Sequence, residues 1–278
     1  MKHRQVIPTN PRQPADLSDE LPFWSAPFGL KLLGNVRYRK GITALDIGCG
    51  TGFPLTELAM RLGESCRVIG LDPWEAGLDR ARRKIEGFGI TQAELIAGVA
   101  EQIPLEDASV DLVVSNNGLN NVQDLSQVLH ECARVLKPGG QFLQTVNLDG
   151  TMMAFYDVME QVLNETGLEE CIDTMRAHIR KKRLPLEAFL ERIKEHGFFV
   201  GRVLHDEFHY TFVDGTSMLR HHGIRTDFAA SWREIVPGDR RDKIFALIEA
   251  RINQLAEEQG RFTLSVPFVV IDAVRNAG

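Results

Sequence analysis

The chain has 278 residues, long for one domain and short for two, which points to one enzyme-sized core with substantial insertions. Its 44% hydrophobic and 25% charged residues are a globular composition that excludes wholesale disorder, and no apolar run approaches the ~20 residues of a spanning helix. With 32 basic and 38 acidic side chains the balance is −6, which argues against nucleic acid or a membrane surface as partner, although a local basic patch escapes such a sum.

In chain order, residues 1–20 read as a mobile N-terminal arm, with prolines at 8, 11 and 14 and neither apolar periodicity nor a secretory signal. Residues 21–149 form the core. Its opening stretch, Leu21 to Arg39, carries Phe23, Trp24, Phe28, Leu32 and Leu33, enough to pack a short helix. Thr43–Ile47 is a short apolar run ending in a glycine-rich turn. Leu55–Leu62 follows at helical spacing, stopped by Gly63. Cys66–Leu71 is a second strand candidate and Trp74–Phe88 a charged amphipathic helix. Ala93–Ala97, Val110–Ser115 and Gln141–Val146 are further strands. A helix at Leu125–Leu136 precedes the last of these, and Lys137-Pro138-Gly139-Gly140 is expected as a helix stop and turn.

Strands alternating with helices predict an α/β, doubly wound and mostly parallel sheet. Beyond it, residues 150–184 are expected as a helical lid insertion with helices at Ala154–Thr166 and Glu169–Arg183. Residues 185–213 hold a core helix (Leu186–His196) and a strand (Phe199–Phe212), 214–262 a second helical insertion, and 263–278 the final core strand. Both insertions would leave the sheet at carboxyl strand ends, where open α/β sheets bind ligands, and could roof a substrate chamber. The cysteines at 49, 66, 132 and 171 form no C-x-x-C pair and no metal-ligand cluster, so they read as buried thiols in a reducing, cytoplasmic protein without a metal.

The chemistry is carried by Asp46-Ile47-Gly48-Cys49-Gly50-Thr51-Gly52. A strand delivers Asp46, and glycines at alternate positions let the chain turn tightly and lie against a ligand. A dinucleotide fingerprint needs its third glycine where Phe53 stands, and an acid at the turn repels a pyrophosphate while favouring a cationic group. Asp72 ends the next strand, twenty residues beyond Gly52, where a carboxylate accepts both hydroxyls of a ribose. The pattern suits an adenosyl ribose and no nearby phosphate.

Asp46 to Gly52, Asp72, Gly98-Val99-Ala100-Glu101, Val110–Ser115 and Val135 to Gly140 occur in the order found in class I S-adenosylmethionine-dependent methyltransferases. Within them the chain most resembles the small-molecule branch containing the ubiquinone/menaquinone-pathway enzymes. The resemblance spans residues 41–149. It implies a seven-stranded, Rossmann-like methyltransferase sheet whose last strand is antiparallel, and S-adenosyl-L-methionine as cofactor, leaving S-adenosyl-L-homocysteine. It further implies that Gly48, Gly50 and Gly52 approach the methionine moiety above Asp46. Asp72 would bind the ribose, Pro73 and Trp74 would lie beside the adenine, and Ala100 and Glu101 would edge it. Ser115 and Asn116 would border the methyl donor, with Trp24 a further candidate from the aromatic segment before the sheet. One departure is Val99, where the family often has an aspartate that accepts from the adenine amino group.

The expected reaction is methyl transfer to a small molecule by in-line displacement; the alternative is a non-catalytic module binding the methyl donor or its product. An Asp/Asn-Pro-Pro-aromatic run is absent after the fourth strand, which disfavours amino methylation of nucleic acid. Tyr156, His178, His221 and His222 are possible general bases by location only, and no catalytic residue stands out. The basic cluster Arg176, Arg180, Lys181, Lys182 and Arg183 reads first as a solvated helix face, with reception of an acidic substrate or a phosphate as the alternative. Acceptor and oligomeric state are not written in the sequence.

Overall fold

The computed structural model describes residues 23–183 and 185–277, so the arm expected at residues 1–20 lies outside them. The described chain divides into two compact units. The larger holds residues 23–148, 183, 185–207 and 267–277.

In this larger unit α1 (Ser25–Leu33) precedes β1 (Thr43–Ile47), α2 (Leu55–Leu62), β2 (Arg67–Asp72), α3 (Glu75–Gly87), β3 (Ala93–Ala97) and β4 (Val110–Asn116). A 3-10 turn at Gly118–Asn121, α4 (Leu125–Val135) and β5 (Leu136–Asn147) follow, and α7 (Leu186–Glu195) comes later. The smaller unit holds α5 (Met153–Glu165), α6 (Glu170–Lys182), α8 (Gly215–Arg220), α9 (Ala229–Arg233) and α10 (Arg241–Gln259). Two long strands, β6 (Phe198–Phe212) and β7 (Phe262–Arg275), contribute residues to both units.

The sheet order is β3-β2-β1-β4-β5-β7-β6, with β1 to β5 parallel and β7 antiparallel to β5. Contacts of Gly197 with Asn276 and of Arg202 with Asp272 run β6 antiparallel to β7, and therefore parallel to β5. The chain reverses direction across the sheet between β1 and β4, which makes their carboxyl ends the crevice where such sheets bind ligands.

Alternation decides the faces. Leu45 and Ile47, Ile69 and Leu71, and Val113 point to the side covered by α4 and α7, where Phe142 stacks on Phe198 at 4.6 Å between ring centroids. On the opposite side Phe28 of α1 meets Phe268 edge to face at 4.7 Å. Each such side chain, removed from water, contributes roughly 1.5–3 kcal/mol. Asp272, 1% exposed, accepts from Gln141, Arg37 and Arg202 and so ties β7 to its neighbours at the far edge of the sheet.

One expected turn is a strand bulge instead. Lys137-Pro138-Gly139-Gly140 lies inside β5, because Leu136 already pairs with Val110 and pairing resumes at Leu112 with Gln141. The intervening residues loop out, with Gly139 at φ +74°.

Within the smaller unit, Phe155 stacks on Trp232 at 3.8 Å, and the Trp232 indole donates to the Tyr156 hydroxyl at 3.0 Å. Asp214 forms a capping box with Ser217 at the start of α8. Tyr156 is buried packing, and His221 packs against Tyr210 and Phe212. The cluster expected to be a solvated face is mixed: Arg176 pairs with Glu160, whereas Arg183 is 6% exposed and buried. All four cysteines are buried and free.

Candidate cofactor-binding site

A cavity of about 460 Å³ opens beyond the carboxyl ends of the central strands of the larger unit, within the size range of small-ligand sites. Ile47 and Gly48 at the end of β1, Leu71 to Pro73 at the end of β2, Gly98 to Glu101 after β3, and Gly118 with Asn121 to Gln123 after β4 line it. Four strand ends thus meet at one place, although their residues are spread over most of the first 123 positions.

The turn after β1 is built on glycine by necessity. Gly48 has φ +75°, and a Cβ there would stand 2.8 Å from the Cα of Gly118. A Cβ on Gly118 would in turn stand 2.4 Å from the Ile47 carbonyl oxygen. Two backbones press together, and only glycine fits at both positions. The Gly48 amide donates to Leu71 O at 2.8 Å, locking the turn to the end of β2.

Asp72 is the last residue of β2, one position beyond the expected strand end, and is 9% exposed. Its Oδ2 accepts from the Gly50 amide and its Oδ1 from the Trp74 amide, each at 2.8 Å. A carboxylate offers about four lone-pair directions, so two remain for a ligand in a side chain whose orientation is already set.

Asp46 lies on β1 beneath this loop, fully buried, with neither oxygen in a hydrogen bond of ordinary geometry. Burial and the neighbouring Asp72 charge push its carboxyl up to about 8, with the Leu55 amide pulling less strongly the other way. A buried acid without such a bond, beside a second acid, is an unsatisfied polar group at the base of the turn.

The loops after β3 and β4 hold each other. Glu101 Oε1 accepts from the Gln123 amide at 2.8 Å and the Asp124 amide at 3.3 Å. Behind it Arg134 donates to Ile103 O and Leu105 O and pairs with Glu131, whose other oxygen accepts from the Ile103 amide. The Arg134 guanidinium keeps the Glu131 carboxyl below its usual value. These bonds clamp the segment from Glu101 to Leu105 onto α4.

Of the residues singled out in the sequence, Gly48, Asp72, Pro73, Ala100 and Glu101 line the cavity, and Asp46 and Gly50 stand directly behind it. Gly52 packs against Ala81 of α3. The remaining ones are engaged elsewhere. The Ser115 hydroxyl, fully buried, donates to Ile47 O at 2.9 Å. Asn116 donates to Ser25 O at 3.0 Å and accepts from Thr145 Oγ1, fastening α1 to the sheet. Trp24 packs edge to face on Phe28, and the Trp74 ring lies over Gly77. The residues that sequence reasoning passed over are Gly118 and Asn121 to Gln123. Their signal was Asn117-Gly118 just beyond β4, where Asn117 takes the left-handed conformation with φ 61°.

Comparison with known proteins agrees with this geometry. Residues 45–144 match a family model described as a methyltransferase domain, a span that contains every residue lining the cavity. A demethylmenaquinone methyltransferase of Bacillus mycoides is 41% identical over 117 residues, which is 42% of this chain and 49% of that protein. The chain thus spans about half the length of the curated relatives it matches. A putative methyltransferase of Bacillus halodurans has a similar structure, with TM-score 0.58 and 20% identity over 90% of this chain and 99% of the other. An S-adenosylmethionine-dependent methyltransferase of Aquifex aeolicus gives TM-score 0.51 at 22% identity, covering 69% and 93%. Its sheet order, its glycine turn and the match over residues 45–144 make this stretch of the chain similar to a methyltransferase domain, and its fold is that of the solved methyltransferase structures.

Proposed function

We propose that the protein transfers the methyl group of S-adenosylmethionine to a small-molecule acceptor by in-line displacement. The observation that carries this reading is Asp72, a carboxylate at a strand end held by the Gly50 and Trp74 amides and lining a cavity of cofactor size. In this reading its two remaining lone-pair directions accept the ribose hydroxyls. Gly48 lets the backbone approach the methionine moiety. Pro73, Val99 and Ala100 flank the adenine. Asp46, protonated near neutral pH in the free protein, would give up its proton as a sulfonium or ammonium group binds above it. When bound, the cofactor brings a methyl carbon already activated by positive sulfur. The protein's own work is then to hold that carbon in line with the acceptor, which needs orientation and exclusion of water rather than a covalent intermediate.

Support for a small metabolite comes from the overall charge of −6 and from Asn117-Gly118, where an amino methylase of nucleic acid carries its Pro-Pro-aromatic run. The relatives named for demethylmenaquinone make a quinol one acceptor class to test first. Calorimetry should show S-adenosylmethionine or S-adenosylhomocysteine binding with no measurable affinity for nicotinamide dinucleotides. Incubation with labelled methyl donor and a metabolite extract should then yield a labelled small product. Tighter dinucleotide binding sinks the cofactor assignment, and donor binding without any labelled product sinks the transferase reading.

A further inference from the structure

We propose that His221, backed by Asp227, takes the proton of a planar methyl acceptor with a weakly acidic hydroxyl, a phenol or an enol, bound on the aromatic face of β6 beside them. Calling that ligand the methyl acceptor rests on the methyltransferase reading. Every residue concerned belongs to the smaller unit.

Strand alternation builds the face. Phe208, Tyr210 and Phe212 stand at every second position of β6 and therefore on one side of it. Their rings follow one another at 5.7 and 6.4 Å between centroids, and all three are half-buried. The His221 ring closes against this ladder, 6.1 Å from Tyr210 and 5.5 Å from Phe212. A planar ligand suits such a row, where it can meet aromatic edges and faces already in place.

Packing alone does not account for the imidazole. Its Nδ1 is closed off from solvent with no hydrogen bond, which a purely structural histidine avoids, whereas Nε2 is not closed off in this way. Gly223 lies on the Nδ1 side. A Cβ there would stand 3.6 Å from His221 Nδ1 and 4.0 Å from Asp227 Oδ2, so imidazole and carboxylate flank the space that glycine leaves. Asp227 is carried by a π-helical turn, Ile224–Phe228, a winding that recurs at functional sites.

A carboxylate on the Nδ1 side orients the ring and stabilises the imidazolium that forms when Nε2 takes a proton. Burial first, then the neighbouring His222, keep His221 below its ordinary value while Asp227 pulls the other way, so the ring is neutral and able to accept at neutral pH. Tyr210, pushed up to about 12 by burial and the Asp227 charge, keeps its proton and remains a donor. In the step itself the ligand's O–H bond breaks and the proton bonds to Nε2. The electron pair stays on the oxygen and its conjugated ring, as the nucleophile that displaces the donor sulfur.

The test uses the full chain with 4-nitrophenol, whose ionised form is yellow, and 2-naphthol as a second probe. Wild type should bind both, and bound 4-nitrophenol should ionise at lower pH than the free phenol. H221Q should remove that advantage, D227N should reduce it about tenfold, and F212A should weaken binding of both probes. With labelled methyl donor and a metabolite extract, H221Q should form product roughly 100-fold more slowly than wild type. Calorimetry with S-adenosylhomocysteine should give wild-type values for all three variants, which establishes that they fold. Failure of both phenols to bind, equal ionisation in wild type and H221Q, or equal product from the two overturns the proposal and leaves the methyltransferase reading intact. Absence of labelled product from wild type is failure of that reading instead, and the phenol measurements still decide whether His221 takes the proton.

Discussion

Asp46→Asn isolates the buried charge beneath the glycine turn. In the fold the Asp46 carboxyl is raised from 3.8 to about 8, and burial is the leading cause. The native state therefore holds a proton there that the unfolded chain has released. This stabilisation is complete below about pH 4, falls away as pH rises from there to about 8, and is flat above, where both states are ionised. Each pKa unit corresponds to about 1.4 kcal/mol, so the accumulated cost approaches about 6 kcal/mol at most. Asparagine keeps the size and cannot titrate, and its own desolvation cost of about 1–3 kcal/mol does not depend on pH. The stability difference, variant minus wild type, should therefore grow with pH, by up to about 4 kcal/mol between about pH 5 and pH 8.5, and then level off. Urea unfolding of both proteins across that range measures it, and the common titrations of the rest of the chain cancel in the difference. A gap constant with pH refutes the reasoning.

The same acid links binding to pH: a cationic ligand favours its ionised form, so wild-type affinity for S-adenosylmethionine should rise up to about pH 8, while Asp46→Asn should lose that slope in calorimetry. Asp72→Ala should weaken cofactor binding by about 1–3 kcal/mol, and Asp72→Asn by less, since the amide oxygen still accepts. Val99 is 48% exposed and lines the cavity, and Glu101 Oε1 is already engaged by the Gln123 and Asp124 amides. Val99→Asp should therefore tighten cofactor binding by about 0.5–1.5 kcal/mol, and a loss of binding would place apolar contact there instead. Glu101→Ala should speed hydrogen exchange at Gln123 and Asp124; unchanged exchange would deny the clamp. Gly48→Ala meets both a positive φ and the Gly118 backbone, and should lower stability by more than about 1 kcal/mol in thermal unfolding and abolish cofactor binding.

Much of this protein is local and therefore readable from the chain. The short apolar runs at Thr43–Ile47 and Ala93–Ala97 and the helix Leu55–Leu62 have the bounds their periodicity predicts, because turn and breaker residues flank them. Asp72 and the alternate glycines were legible because the chemistry of a strand-to-helix turn is carried by neighbours in sequence. What tertiary structure decided is the meaning of residues whose partners lie far along the chain. Ser115 and Asn116 sit at the carboxyl end of a strand, where the sequence suggests a ligand contact, yet Ile47, Ser25 and Thr145 claim their polar groups. Gly118 matters because another backbone presses on it from seventy positions away. Lys137 to Gly140 reads as a turn in isolation, and pairing of Leu136 with Val110 makes it a bulge. The loneliness of Asp46 could not be seen in sequence at all, since a carboxyl's state depends on which groups surround it once water is removed, and only the packed sheet assembles that environment.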